Sequence, residues 1–226
     1  MRTPKISDRT LLAVVLVLFC AATPHLCAQE AQGFRPLFNG KDLSGWVVMH
    51  GAESAWTVDD GVLSSDAPPK CWLRTTDEFV NYVLRLEWRL VGPESNSGVF
   101  LAARDVGEEF PSSLEVQIYK NNAAAMFPIR TAVGGPTAFA WEDHVRTRGE
   151  WNRYEIAVNN GSILLSVNGH LVNQATLLDP AVGYVGLQSE TGQVEFRRIE
   201  IKELPSPISD VRWSGARKAD SAPGKH

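Results

Sequence analysis

The stretch Tyr82–Leu90, YVLRLEWRL, decides the fold class of this chain. Its first, third, fifth, seventh and ninth residues are aromatic or aliphatic, and three of the four residues between them are charged. Such alternation is typical of a β-strand with one buried and one solvated face. The same period recurs in Leu114–Tyr119, and it predicts further strands at Val99–Ala103, Tyr154–Val158, Ile163–Val167, Val185–Gln188 and Val194–Ile201.

Turn residues separate these predicted strands. Asn160-Gly161 and Asn168-Gly169 flank Ile163–Val167, and Asp60-Gly61 lies between two shorter apolar runs. Asn-Gly suits a type I′ turn, because both of its central residues need a positive φ. No sustained helical period appears between Gly33 and Leu204. The pattern therefore predicts an all-β protein, an antiparallel β-sandwich or barrel.

The two ends of the chain differ from this body. A basic start precedes the apolar run Leu11–Ala22, and Ala28 ends a small-residue site, which predicts a cleaved signal peptide over residues 1–28. The run is shorter than the roughly 20 residues of a membrane-spanning helix. We therefore expect no stable membrane span after cleavage and a secreted or periplasmic protein; an uncleaved anchor is the alternative. Residues 29–204 form the predicted domain, and residues 205–226 a disordered basic tail.

Composition narrows the classes of function. The chain has 226 residues, with 22 Lys and Arg against 26 Asp and Glu, and a net charge of −4. This balance argues against nucleic acid as a partner. After signal cleavage only Cys71 remains, so no intrachain disulfide is expected, and we interpret Cys71 as a small buried apolar residue. Phosphate-loop, zinc-protease, paired-cysteine and serine-hydrolase motifs are absent from the sequence.

Polar residues on strand faces are the candidates for chemistry. Glu115 and Gln117 alternate with Leu114, Val116 and Ile118. Their face is either the solvated side of a sheet or the lining of a cleft. In a cleft, Glu115 could act as a general base if burial raised its pKa toward neutrality.

Three further groups are candidate substrate contacts. Tyr119 shares the face of Glu115, and Asn96 opens the predicted strand that begins Asn-Ser-Gly, a tripeptide also common in turns. The long segment 121–148 carries Trp141 and His144, which could stack on a sugar and transfer a proton. An ordinary polar loop with one buried Trp is the alternative. The body histidines are too scattered for a three-His metal site, whereas a calcium site built from loop carboxylates stays open.

Taken in order, seven segments resemble the 3-keto-disaccharide hydrolase family, also called domain of unknown function 1080. The resemblance spans about residues 33–204. The matching segments are Leu37–Trp46, Asn96–Leu101, Glu115–Ile118, Gly149–Asn152, Val167–Gly169, Gly183–Gln188 and Val194–Ile199.

The resemblance implies a jelly-roll, concanavalin A-like sandwich in a secreted bacterial protein that acts on sugars oxidised at C3. A C3 ketone acidifies the C2 proton; a base removes it, and the enolate expels the group on C1. The enolate oxygen would be held by an Arg or a divalent metal ion. The matching positions imply Glu115 as the base or metal ligand, with Asn96 and Gln117 as hydroxyl contacts.

Two rival functions remain on the same fold. These are a non-catalytic carbohydrate-binding module and an interaction domain, because fold alone does not decide function. The chain also departs from the family pattern at three places: Lys120, Ala102 and the segment around Gly134 stand where relatives carry other residues. The oligomeric state is not predicted.

Overall fold

A computed structural model describes residues 33–131, 133–134, 139–178 and 182–205. The predicted signal peptide and the predicted tail beyond residue 205 lie outside this part of the chain. The elements are β1 (Arg35–Pro36), β2 (Trp46–Met49), a 3₁₀ turn (Glu53–Ala55), β3 (Trp56–Asp59), β4 (Val62–Ala67), β5 (Cys71–Thr75), β6 (Tyr82–Leu90), β7 (Asn96–Arg104), β8 (Ser112–Tyr119), β9 (Met126–Ile129), β10 (Val133–Gly134), β11 (Asn152–Asn159), β12 (Ser162–Val167), β13 (His170–Leu177), β14 (Tyr184–Ser189) and β15 (Gly192–Glu203).

The strands form two antiparallel sheets. A nine-stranded sheet has the order β10-β13-β12-β11-β6-β15-β4-β3, with β1 paired to β15. A six-stranded sheet has the order β2-β5-β14-β7-β8-β9. One continuous apolar core draws on strands of both sheets, so the predicted antiparallel sandwich is confirmed. No helix in the described residues is long and apolar enough to cross a membrane.

The sequence patterns account for this architecture locally. Tyr82–Leu90 is β6, and its burial alternates strictly along the strand. Asn160 and Asn168 have φ of 50° and 51°, and the glycines after them also have positive φ, as the predicted turns require. These turns join β11, β12 and β13 into the predicted meander. Cys71 is fully buried, as predicted.

The outer face of the nine-stranded sheet carries a ladder of ion pairs. Glu87 on β6 accepts from Arg197 at 2.7 Å, and Arg85 lies 2.8 Å from Glu155 on β11. The Trp151 ring has the guanidinium groups of Arg89 and Arg197 at 4.6 and 4.0 Å from its centroid. The alternating charges of β6 therefore form a solvated ladder.

The segment 121–148 contains two short strands that the sequence did not predict: β9 pairs with β8, and β10 pairs with β13. Both strands are short, and Pro128 interrupts the apolar pattern of β9. Alternation over so few residues gives too weak a signal to be recognised in the sequence.

Candidate functional site on the six-stranded sheet

The outer face of the six-stranded sheet brings four predicted site residues together. Leu114, Val116 and Ile118 of β8 enter the core, so Glu115, Gln117 and Tyr119 lie on the opposite face. In the register of β7 with β8, Asn96 is opposite Tyr119, and Gly98 is opposite Gln117. Asn96, Glu115, Gln117 and Tyr119 therefore share one surface.

A glycine makes room for the Glu115 carboxyl. A Cβ atom added at Gly98 would lie 2.4 Å from Glu115 Oε1 and 2.8 Å from its Cγ. The Glu115 side chain thus leans across β7 instead of extending into solvent, and the residue is only 7% exposed. The position needs Gly because any larger side chain would occupy the space of the carboxyl group.

Burial changes the acidity of this carboxyl group. Loss of water is the main cause that raises the pKa of Glu115, and the negative charge of Glu190 raises it further, to about 7. A buried carboxylate is costly because the protein replaces its hydration poorly. Glu115 can therefore gain or lose a proton near neutral pH, as a general base must.

Neighbouring amides are fixed by their hydrogen bonds. Asn96 donates through Nδ2 to Glu190 Oε2 at 2.7 Å, and Lys70 donates to the other oxygen of Glu190 at 3.3 Å. Gln117 Oε1 accepts from the backbone N–H of Ile118 at 2.9 Å. Asn96 consequently has its oxygen available as an acceptor, while Gln117 has its NH₂ group available as a donor.

Several polar atoms on this face have no partner. Asn96 Oδ1, Glu115 Oε1 and Gln188 Oε1 are buried and accept no hydrogen bond from the described residues. Gln188 lies beside Gly98, because Leu187 pairs with Val99 and Gly186 with Phe100. Buried acceptors without donors are costly, and ordered water, or a polyhydroxylated ligand that displaces the groups covering them, would satisfy them. We call Asn96, Glu115, Gln117, Gln188 and Glu190 the Glu115 site.

An apolar cluster adjoins the Glu115 site. Trp72 and Phe100 are fully buried and meet edge to face at 5.8 Å, and a Cβ at Gly186 would contact both rings at 3.0–3.1 Å. Phe110 packs on Phe100 at 5.9 Å. Because Trp72 and Phe100 are covered, they do not form the open aromatic platform that would favour a pure sugar-binding surface.

Residues 105–111, which we call the strap, supply part of this cover through Phe110, and Met49, Ile129 and Tyr184 supply the rest. At one end Asp105 lies 2.9 Å from His50 Nε2. At the other end Arg130 donates to the carbonyl of Phe110 at 3.2 Å. Lys70 lies 5.8 Å from the centroid of the Phe110 ring and 3.9 Å from Glu109. The strap is thus attached both to the end of β2 and to the β9 side of the sheet.

Trp141 and His144 are not on the same face as the Glu115 site. The backbone N–H of Trp141 donates to Val172 in β13, and the His144 ring stacks on His170 at 3.9 Å. Both residues therefore lie against the nine-stranded sheet. A cavity of about 190 Å³ lies beside their loop, and its lining includes Tyr119 but not Glu115.

The structure also shows the surroundings of the three positions at which the chain departs from the family pattern. Lys120 pairs with Glu94 at 3.0 Å, away from Glu115. Ala102 has φ of 50° and lies at a register shift between β7 and β8, and Arg104 after it donates to the Val182 carbonyl. Gly134 pairs with Thr176. In the described part of the chain, no three His, Cys, Asp or Glu side chains gather into a metal-binding group.

Sequence reasoning missed three residues here. Gln188 was predicted only as the end of the strand Val185–Gln188, and Lys70 and Glu190 were not among the candidate residues. The alternation Tyr184, Gly186, Gln188 would have placed Gln188 and then Glu190 on one face, had β14 been known to lie beside β7. Lys70 directly follows two prolines and belongs to no alternating pattern.

The fold and this site together define an antiparallel sandwich with a buried, titratable carboxyl on one sheet face. The model of the 3-keto-alpha-glucoside-1,2-lyase-like domain matches residues 33–202, and the chain belongs to that family. The expected family and its concanavalin-like sandwich are confirmed, and the chain is a carbohydrate-active protein in this broad sense. No curated protein matches the chain.

Solved structures share the sandwich. Two proteins of Parabacteroides distasonis ATCC 8503, provisionally named glycosyl hydrolases, align with TM-scores of 0.64 and 0.61 at 19% and 25% identity. The alignments cover 78% and 76% of this chain, and 96% and 99% of those chains. The carbohydrate-binding module CBM66 of Bacillus subtilis aligns with a TM-score of 0.51 at 9% identity, over 70% of this chain and 96% of the module. At that identity the likeness concerns the fold alone.

Proposed function

We propose that this chain is a secreted or periplasmic enzyme that cleaves 3-keto-glycosides by elimination, with Glu115 as the base. The observation that carries the proposal is the buried Glu115 carboxyl over Gly98, on a face whose acceptor atoms lack partners. Membership of the 3-keto-alpha-glucoside-1,2-lyase-like family supports the choice of substrate. The roles of Trp141 and His144 as substrate contacts stay predictions. Because they do not lie on the face of Glu115, they would contact a part of the substrate that extends past Tyr119.

The reaction needs one base and one group that stabilises negative charge. The Glu115 carboxylate takes the C2 proton, and the C–H electrons form an enolate with the C3 ketone. The enolate collapses, the C1–O bond breaks, and the leaving oxygen takes the proton from the Glu115 carboxylic acid, which restores the carboxylate. The product is a sugar unsaturated between C1 and C2; water adding its oxygen to C1 and a proton to C2 gives net hydrolysis.

The fixed amides suit this chemistry. The free NH₂ of Gln117 is a donor for the C3 oxygen, where negative charge develops. The free oxygens of Asn96 and Gln188 are acceptors for ring hydroxyls. A divalent metal could stabilise the same charge, but the described residues gather no three His, Cys, Asp or Glu side chains that could hold one. Each step is therefore assigned to side chains of this chain.

The test is turnover of a 3-keto-glucoside with a chromogenic leaving group, compared with the unoxidised glucoside. We expect release from the keto sugar only. Glu115→Gln should reduce kcat/KM by about 100-fold or more, the usual contribution of a general base. The matched control is Glu155→Gln, which removes a half-exposed carboxylate on the other sheet and should leave turnover unchanged.

A second readout separates proton removal from bond cleavage. In D₂O, the wild-type protein should exchange the C2 proton of a 3-keto sugar that lacks a leaving group, as observed by NMR. Folded wild-type protein that neither releases the leaving group nor exchanges C2 across several linkages would exclude the enzyme. Sugar binding that survives unchanged in Glu115→Gln would then establish the carbohydrate-binding module.

A further inference from the structure

Glu190, directly after β14, connects Lys70 to Asn96. Its Oε2 accepts from Asn96 Nδ2 at 2.7 Å, and its Oε1 accepts from Lys70 Nζ at 3.3 Å. The Glu190 side chain is 23% exposed. Both of its oxygens are therefore engaged inside the protein, one by an amide and the other by a cation.

The first contact fixes how Asn96 can bind a ligand. A side-chain amide can be turned either way, so a free Asn offers a donor or an acceptor in the same place. With Nδ2 held by Glu190, Oδ1 faces away from Glu190, buried and without a partner in the described residues. Asn96 is thereby restricted to accepting a hydrogen bond from a hydroxyl group.

The second effect is one of charge. Glu190 is the carboxylate that acts on Glu115 through space, and Lys70 offsets part of its charge. The charged or titratable groups that the contacts bring next to this pair are Lys70, Glu109 of the strap, which lies 3.9 Å from Lys70, and Tyr119, which is opposite Asn96 in the register of β7 and β8. Removing the Glu190 charge should therefore weaken the base, and removing Lys70 should strengthen it.

We propose that Glu190 is a positioning residue of the Glu115 site: it fixes Asn96 as a hydroxyl acceptor, and through that contact it holds a negative charge on the face where the Glu115 carboxyl lies over Gly98. The proposal rests on the proposed function and adds to it the hydrogen-bond polarity that the substrate must match. A hydroxyl on the oxidised sugar must lie at Asn96 as a donor. Sugars methylated or deoxygenated at that hydroxyl should be poor substrates.

Two variants separate the two roles. Glu190→Gln keeps an oxygen for Asn96 Nδ2 but removes the charge. We expect KM within about twofold of wild type, while the acid limb of kcat/KM moves to lower pH by half a unit or more, as for loss of a nearby like charge. Glu190→Ala removes the acceptor too, and KM should also rise about tenfold, the value of one hydrogen bond.

The matched control is Glu109→Gln. Glu109 also faces Lys70, at 3.9 Å, but is more exposed and makes no contact with Asn96. This variant should leave both KM and the acid limb unchanged. Lys70→Met should move the acid limb the opposite way, to higher pH, because the charge of Glu190 is then less compensated. A purely structural role for Glu190 predicts no such opposed pair of shifts.

An NMR titration makes the test independent of turnover. The carboxyl carbon of Glu115, assigned with Glu115→Gln, should titrate at lower pH in Glu190→Gln than in wild type. An unchanged titration overturns the tuning role, and an unchanged KM in Glu190→Ala overturns the positioning of Asn96. If wild-type protein turns over no 3-keto-glycoside, the proposed function fails and the acceptor role fails with it, whereas the titration still decides the effect of charge.

Discussion

Burial of Glu115 has opposite consequences for stability and for catalysis. The pKa is about 7 in the folded protein against 4.5 for an exposed Glu. The folded state therefore binds this proton more tightly than the unfolded chain. Below about pH 4.5 the group costs nothing, and stability is lost as pH rises from 4.5 through 7, by roughly 3 kcal/mol as an upper value. Above pH 7 the same carboxylate is available as a base.

Glu115→Gln should separate these consequences. The amide is neutral at every pH, so the variant should be more stable than wild type at pH 8 by up to roughly 3 kcal/mol, and equally stable at pH 4.5. Urea unfolding at the two pH values measures this difference. A variant no more stable than wild type at pH 8 would show that the carboxylate is well solvated in the folded protein.

The turnover of wild-type protein should follow the same titration. kcat/KM is expected to rise tenfold per pH unit below about pH 7 and to level off above it, because only the ionised carboxyl accepts the C2 proton. Initial rates with the chromogenic 3-keto-glucoside between pH 5 and pH 9 measure the profile. A profile that is flat from pH 5 upward would contradict the role of a carboxyl with this pKa.

Gly98 is the second residue on which the site depends. In Gly98→Ala the new Cβ would meet Glu115 Oε1 at 2.4 Å, so the carboxyl must move. Misplacement of a reacting group by about 1 Å costs about 100-fold in rate, and we expect a loss of that size in kcat/KM. Circular dichroism and urea unfolding should show that the variant still folds. Full activity in folded Gly98→Ala would mean that the carboxyl position seen here is not the reactive one.

At the scale of elements, we expect the strap to limit how much water reaches the site. Phe110 covers Phe100, which lies opposite Glu115 in the register of β7 and β8. Phe110→Ala should admit water, lower the pKa of Glu115 and move the acid limb of kcat/KM to lower pH. Val106→Ala, which truncates an exposed strap residue, is the control and should leave the limb in place. If the acid limb of kcat/KM does not move in Phe110→Ala, the neighbouring strands and not the strap keep water from Glu115.

At the scale of the whole molecule, the nine-stranded sheet supports the site through Tyr154. Its hydroxyl donates to the Gln117 carbonyl at 2.7 Å and accepts from the Ala124 N–H at 2.8 Å. Tyr154→Phe should lower the free energy of unfolding by about 1 kcal/mol, the net value of such hydrogen bonds. Tyr82→Phe is the control, since no hydrogen bond of the Tyr82 hydroxyl is seen among the described residues. Equal losses in both variants would contradict a specific link between the sheets.

The sequence predicted the face of the site but not all of its members. Alternation along β8 was enough to place Glu115, Gln117 and Tyr119 together, because it depends only on neighbouring residues. Glu190 lies 94 residues from Asn96 and 120 from Lys70, so their contacts depend on the strand order of the six-stranded sheet. Trp141 and His144 were expected at the same site from their residue types. Their loop instead lies alongside β13, because the backbone N–H of Trp141 donates to the Val172 carbonyl in that strand.

Two bulges change which residues face the core, and this affects how relatives should be aligned. In β15, Val194 and Phe196 are buried before the shift at Arg197, whereas Ile199 and Ile201 are buried after it. The residues that face the core therefore have even numbers before the bulge and odd numbers after it. Ala102 marks a similar switch in β7. A relative without that extra residue should therefore be aligned with a gap at Ala102, because an ungapped alignment would match core residues to residues of the Glu115 face beyond this point.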